Sequence, residues 1–221
     1  MPNWLTTLAS VAVRPRQTLR RILDLPRDRM IVPLVVLAAL SISMRDLRLQ
    51  AVPKLLESRG PLWVGIAAGA ALFGVALVHL LFFYVLSWIA FGVSRFFEGT
   101  ATIRETRSAL AWGLAPIIWA LLWRIPIALF APVPAGGKTR VQFGTAQFSL
   151  DPGVLANSLK LAAALTVLEL LLIAWYCAIS SATLAEANRF SGGRGFATFV
   201  LTVISPLIVV AAAVIAWPKA G

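Results

Sequence analysis

Side chains that do chemistry are scarce in this sequence. It has one cysteine, Cys177, and one histidine, His79. A single cysteine excludes an internal disulfide framework and a multi-cysteine metal site. No His-Glu-x-x-His or Gly-x-Ser-x-Gly occurs, and His79 and Cys177 fall in different apolar runs, so no spacing supplies a nucleophile with its base. The expectation is a non-enzymatic protein without a cofactor or metal. Charge is scarce as well, at 13%, where soluble domains carry about 25%. Acidic residues are the scarcest, nine against 20 basic ones, for a net charge of +11. The basic residues, 16 Arg and four Lys, lie between the apolar runs and form no single block. That distribution argues against nucleic acid and for anionic lipid head groups as partners. No Asn-x-Ser/Thr sequon occurs, and the first Arg is Arg14, so the basic-then-apolar order of a signal peptide is missing. The bias of Arg over Lys, with much Ala, points to a GC-rich bacterial genome.

What the sequence has in abundance is apolar surface. Hydrophobic residues make up 59% and the mean hydropathy is +0.85. Five apolar runs stand out: Ile31–Met44, Leu62–Val93, Ala109–Ala131, Val154–Ala187 and Phe196–Trp217. A membrane span needs roughly 20 predominantly apolar residues. The first run is short and is completed by Leu47 and Leu49. The second is long enough to demand tilt or projection beyond the hydrocarbon core. The expected fold is all-α: a polytopic bundle of five transmembrane helices over 31–221, with spans at 31–49, 62–93, 109–131, 154–187 and 196–217. Four spans is the alternative. With five, the N-terminal side holds 11 Lys and Arg against 8 on the other side. The positive-inside rule then puts the N-terminus in the cytoplasm.

Residues 1–30 form a basic leader. Trp4, Leu8 and Val11 recur at helical spacing, Pro15 suits a first helical turn, and Leu19, Ile22 and Leu23 share one face. Arg14, Arg16, Arg20 and Arg21 sit elsewhere on it. Such a segment is expected to lie in the membrane interface as an amphipathic helix, its arginines touching lipid head groups. Between the third and fourth runs, Val141, Phe143, Phe148 and Leu150 alternate with polar residues around Gly144–Thr145, which reads as a small β-hairpin or an irregular loop. Gly65-x-x-x-Gly69, followed by Gly74, is a small-residue pattern that permits helix association, including with a second copy. Trp112, Trp119 and Trp123 share one face of the third run, as a lipid-facing or packing seam. Trp63, Trp88 and Trp217 fall near run ends, as interfacial anchors do.

Three stretches carry a resemblance. "FFEGTATIRETRSALAWGLAP", Phe96 to Pro116, sets a glycine before a short polar helix and then an apolar helix with an early proline. "RPRQTLRRIL", Arg14–Leu23, is a basic, Pro-containing segment ahead of the first span. "WYCAISSATLAEANRFSGGRGFATFVL", Trp175–Leu201, runs from one span through a tight turn into the next. In this order they resemble the bacterial branch of the Yip (Ypt-interacting protein) domain family. The resemblance implies a five-helix membrane protein with a cytoplasmic N-terminus. It also implies, through eukaryotic members, a tie to Rab-type small GTPases and to traffic between ER and Golgi. A long cytoplasmic N-terminal domain like theirs is not expected from the 30 residues ahead of the first run. Their Asp-Leu-x-Gly-Pro entry to the first span reads "DRMIVP" here and keeps only Pro33.

One carboxylate stands inside an apolar run. Glu169 sits in "AALTVLELLLIAWYC", Ala163–Cys177. A mid-helix charge costs roughly 2.5–3.5 kcal/mol on insertion scales, which the neighbouring Leu, Ile and Val offset. Ser158, Thr166, Tyr176, Ser180 and Thr183 share its helical face, with Ile173 the one interruption. That stripe should face other helices. Glu169 is expected to be protonated or paired to His79, which matches its depth, or to Arg124, between Pro116 and Pro126. The neutral form is favoured because Arg124 reads as lying toward the outer half of its span. Two functions follow. One is a membrane protein that organises lipids or partner proteins through its basic cytoplasmic face. The other is a transporter or channel subunit with a polar site at Glu169.

Overall fold

The computed structural model describes residues 4–24, 30–46, 60–130, 139–143, 146–149 and 152–216. The body is all-α. Helices α1 (Trp4–Val13) and α2 (Pro15–Leu23) form the leader. The bundle follows with α3 (Ile31–Asp46), α4 (Pro61–Phe96), a broken helix α5–α6–α7 (Ile103–Gly113, Ala115–Trp119, Leu121–Phe130), α8 (Pro152–Asn188) and α9 (Gly192–Ala216). A two-stranded antiparallel hairpin, β1 (Thr139–Phe143) and β2 (Ala146–Ser149), stands between α7 and α8 and pairs Phe143 with Ala146. The hairpin reading of the alternation is therefore the one the structure follows; Gly144–Thr145 lie outside the described residues. Three helical segments are long and apolar enough to cross a membrane: Gly65–Phe96, Ile103–Ile127 and Ala163–Asn188. Ile31–Met44 and Gly192–Ile208 are shorter apolar helices.

Local chemistry sets the breaks. Thr102 and Glu105 form a reciprocal capping box at the start of α5, the Glu105 carboxylate accepting from the Thr102 N–H at 2.6 Å. The Thr-x-x-Glu spacing is the sequence signature of that cap, and it moves the helix start to Ile103, ahead of the apolar run at Ala109. Pro116 has no N–H for the preceding turn and its ring crowds the backbone there, and the helix is interrupted at Leu114 and again at Ala120. α4 and α8 both end in left-handed turns, with Glu98 at φ 63° and Arg189 at φ 58°. In each, the next N–H reaches back to a carbonyl five residues earlier: Gly99 to Ser94 at 2.8 Å and Phe190 to Ala185 at 2.7 Å. These are Schellman closures.

The two turns then meet. A Cβ on Gly99 would collide with Asn188 Oδ1 and fall 2.9 Å from Phe190 Cζ, so only glycine lets the α4–α5 turn sit on the α8–α9 turn. At Gly195 a Cβ would fall 2.5 Å from the Ala185 Cβ, so α9 leaves the turn in direct contact with α8. Around the bundle α3 packs on α4, α4 on α9, α9 on α8, α8 on α5, and α5 on α3.

The leader differs from the expectation of an apolar face laid in lipid. Leu8, Val11, Leu19 and Ile22 are buried in the protein core. α2 packs on α8 and α5, and α1 on α5 and α6. Arg20 pairs with Glu186 of α8 at 2.6 Å, and Trp175 Nε1 donates to the Ala12 carbonyl at 3.4 Å. Of the apolar face as read, Leu8, Val11, Leu19 and Ile22 turn to the bundle, whereas Trp4 is exposed. The periodicity that marks an amphipathic helix is the same whichever apolar phase receives it. The glycine pattern on α4 also finds no partner among the described residues. A methyl group at Gly65, Gly69 or Gly74 would meet nothing within 4 Å, while the close approaches that do need glycine are at Gly99, Gly113 and Gly195. Trp112 is buried and Trp119 and Trp123 half-buried, so that seam packs inward. Trp63 and Trp88 are exposed, and Trp217 lies outside the described residues.

Candidate functional site

Three helices are tied together by one guanidinium. Arg124 of α7 is 7% exposed and donates from Nε to Glu169 Oε1 at 3.1 Å and from Nη2 to Oε2 at 2.6 Å. The two parallel bonds are the fork geometry that arginine offers a carboxylate. Its Nη1 donates to the Ser41 carbonyl and to Ser41 Oγ, each at 3.0 Å. The Ser41 hydroxyl donates in turn to the Ile117 carbonyl at 2.5 Å, next to the break in the helix. Ser41 is fully buried. The Glu169 side chain is 22% exposed.

The neutral Glu169 favoured from the sequence is thus replaced by an ion pair with Arg124. The depth argument fails for a definable reason. It places each residue against the middle of its own apolar run, and the runs Ala109–Ala131 and Val154–Ala187 differ in length. Depth is comparable only when counted from the end the helices share. From the capped start at Ile103 to Arg124 is 21 residues, and from Glu169 to the α8 end at Asn188 is 19, so the two lie at nearly equal depth. The register agrees. Ser180 Oγ donates to the Gly113 carbonyl at 3.3 Å. Eleven residues onward from Gly113 is Arg124, and eleven back from Ser180 is Glu169, about three helical turns on each segment. Both contacts therefore belong to one antiparallel seam. Ser41 is the member that sequence reading misses. A serine in an apolar run has no signal of its own, and only the Arg124–Glu169 pair gives it meaning.

The other polar candidates separate. Tyr176 is half-buried and stacks edge-on against Phe199 of α9 at 5.5 Å. Ser180 and Thr183 are buried and Glu169 meets Arg124, but Thr166 is exposed; the Ser158 side chain lies outside the described residues. A cavity of about 390 Å³ opens beside the ion pair and is lined by Arg124, Glu169, Thr166, Met44, Trp123 and Leu170, among others. His79 does not reach Glu169. Its Nδ1 lies 2.8 Å from the Val75 carbonyl, and its ring lines a second, apolar cavity of about 230 Å³ with Tyr176, Phe83, Leu114 and Thr202. Among the described residues no group of three or more His, Cys, Asp or Glu is placed to hold a metal ion.

A second feature is a basic end. The leader, the α4–α5 turn and the α8–α9 turn converge there through the Arg20–Glu186 pair, the Gly99–Asn188 contact and the approach of Arg16 to Gly192. Arg14, Arg16, Arg20 and Arg21 lie exposed on the outside of α2 and its entry, and Arg95, Arg104, Arg189 and Arg194 are exposed around the two turns. Asp24, Glu98, Glu105 and Glu186 are the described carboxylates of the same end, half as many as those eight arginines. Two of the four are engaged, Glu105 in the cap of α5 and Glu186 with Arg20.

Long apolar helices packed around a buried ion pair define a multi-pass membrane protein. The family model for the Yip1 domain matches residues 9–215, nearly the whole chain, and the chain belongs to that family. The family is associated with membrane trafficking and is not known as enzymatic. Among curated proteins and among solved structures, nothing matches the chain.

Proposed function

We propose that the protein is a non-enzymatic Yip-type organiser, which gathers anionic lipids or partner proteins at its basic end. In this reading it is of the bacterial branch and crosses the inner membrane five times, α3 and α9 completing the three long spans. The N-terminus, the α4–α5 turn and the α8–α9 turn lie in the cytoplasm. The observation that carries the reading is the convergence of the exposed arginines at one end of an otherwise apolar bundle. A positive end next to an anionic leaflet gains about 1 kcal/mol per Lys or Arg near the surface. The leader's role shifts accordingly: its apolar face locks it to α8, and that presents Arg14, Arg16 and Arg21 outward as a fixed charged surface. The test uses the full chain in nanodiscs of phosphatidylcholine with a minor share of spin-labelled phosphatidylglycerol. Preference for the anionic lipid should be strong at low salt and fall with added salt, and R14Q/R16Q/R21Q should weaken it. Equal retention of anionic and zwitterionic labels at low salt would sink the reading.

The cavity beside Glu169 favours a second reading, a transporter or channel subunit. Its test is ion flux through liposomes carrying the purified protein. Movement abolished by E169Q, with the fold retained, supports it; no flux above empty liposomes rejects it.

A further inference from the structure

We infer that Arg107, seated on the outer aromatic face of α4, binds the phosphodiester of an anionic phospholipid. Tyr84, Trp88, Phe91 and Arg95 follow one another along α4 at steps of four, three and four residues, which keeps them on one face. Arg107 reaches over from α5, its guanidinium carbon 5.0 Å from the Tyr84 ring centre and 5.7 Å from that of Trp88. Trp88 meets Phe91 edge-on at 6.2 Å, and Arg95 lies 5.0 Å over Phe91. Two cations thus bracket an aromatic strip. Trp88 is 57% exposed, so the strip is on the outside of the bundle.

The aromatic faces offset part of the desolvation of Arg107, but they accept few of its N–H groups. Its Nε is buried with no hydrogen-bond partner, and among the described residues no carboxylate pairs with it. Glu105, the nearest acid in sequence, is held by the Thr102 cap. Arg95 is different, because its Nη1 donates to the Gly99 carbonyl at 3.1 Å. Arg107 is therefore a cation with no paired carboxylate among the described residues, and its planar guanidinium suits an anion with several acceptor oxygens. It stands one turn inside Ile103–Ile127, against Trp88 two turns inside the end of Gly65–Phe96, both long apolar segments. Exposed Trp and Tyr at such a depth are at home at the head-group boundary, and the anion found there is the lipid phosphate.

The inference rests on the reading that this end lies against anionic lipid, and salt separates the two. Diffuse attraction by the leader arginines is screened at about 0.5 M salt, where the Debye length is only a few ångströms. A half-buried Arg–phosphate contact is screened much less. The experiment measures retention of spin-labelled phosphatidylglycerol against phosphatidylcholine by the full chain in nanodiscs at low and high salt. Wild type should keep an anionic preference at high salt. R107Q should lose it by about fivefold or more, R107K should recover part of it by restoring charge without the fork, and R14Q/R16Q/R21Q should lose the low-salt component alone. If R107Q does not fold, W88L removes the platform instead and should also lose the high-salt preference. An unchanged high-salt preference in R107Q overturns the inference while leaving the leader reading intact. Loss of the preference on adding inorganic phosphate alone would assign the site to free phosphate and overturn it too. No preference at either salt would sink both readings.

Discussion

Replacing Glu169 by Gln probes the seam between α7 and α8 with one atom changed. The carbonyl oxygen of Gln still accepts one guanidinium N–H, but the amide nitrogen now faces a second N–H donor, where Glu169 Oε2 lies 2.6 Å from Arg124 Nη2. Arg124, 7% exposed, is left with its charge unbalanced. Breaking a buried pair from one side costs about 3–5 kcal/mol. Glu169 is 22% exposed, so water reaches part of the site and the cost should sit near the lower end, about 3 kcal/mol. E169Q and R124Q should each destabilise the purified protein in detergent, and the double variant should recover much of the loss. The cycle, read by reversible denaturant unfolding, should give a coupling of about 1.5–3 kcal/mol. Polar contacts between membrane helices average only about 0.6 kcal/mol, so the two classes of result are distinguishable. Additive single variants, or an E169Q loss below about 0.5 kcal/mol, would show that the pair does not hold the helices.

Three further outcomes are expected. S41A removes the Ser41 hydroxyl bonds to Arg124 Nη1 and the Ile117 carbonyl but leaves the Ser41 carbonyl in place, and should lower stability by about 1 kcal/mol in the same unfolding assay; no change would remove Ser41 from the network. G99A puts a methyl against Asn188 Oδ1 and the Ser94 carbonyl and should cost about 2 kcal/mol or more, whereas G65A on the open face of α4 should cost nothing measurable; equal effects would contradict the contact between the turns. L19D buries a carboxylate in the leader interface, and should speed tryptic cleavage at Arg20 and Arg21 severalfold, while E186Q should do so only slightly; resistance in L19D would mean the leader is held by something other than its apolar face.

Much of this architecture is legible in the sequence because membrane helices leave long apolar runs that cannot be read otherwise. The five runs correspond to α3, α4, α5–α7, α8 and α9, and the hairpin alternation to β1 and β2. What composition does not encode is which apolar surface meets which. The leader's stripe is visible, but a stripe is equally satisfied by acyl chains or by Leu184 and its neighbours in the core. Glu169 and Arg124 both stand out as candidates, and Gly113 lies on the right face. Their pairing is hidden because the apolar runs are unequal and α8 extends far on the hairpin side, so the middle of one run is not level with the middle of the other. The Thr102–Glu105 cap supplies the correction, since it marks the shared end from which both depths are counted. Ser41 and the Gly99–Asn188 contact depend on chain segments far apart in sequence, and no local pattern reports them.

Topology tests the account most directly, because everything proposed for the basic end requires it to face the cytoplasm. Reporter fusions after Met30 and after Gly195 should both read cytoplasmic, and a fusion at Gly137 should read on the opposite side. If Gly137 reads cytoplasmic as well, Ile31–Met44 does not complete a span and the five-span arrangement is wrong. If Gly195 reads outside, the arginines face away from the anionic leaflet and the proposed function goes with them.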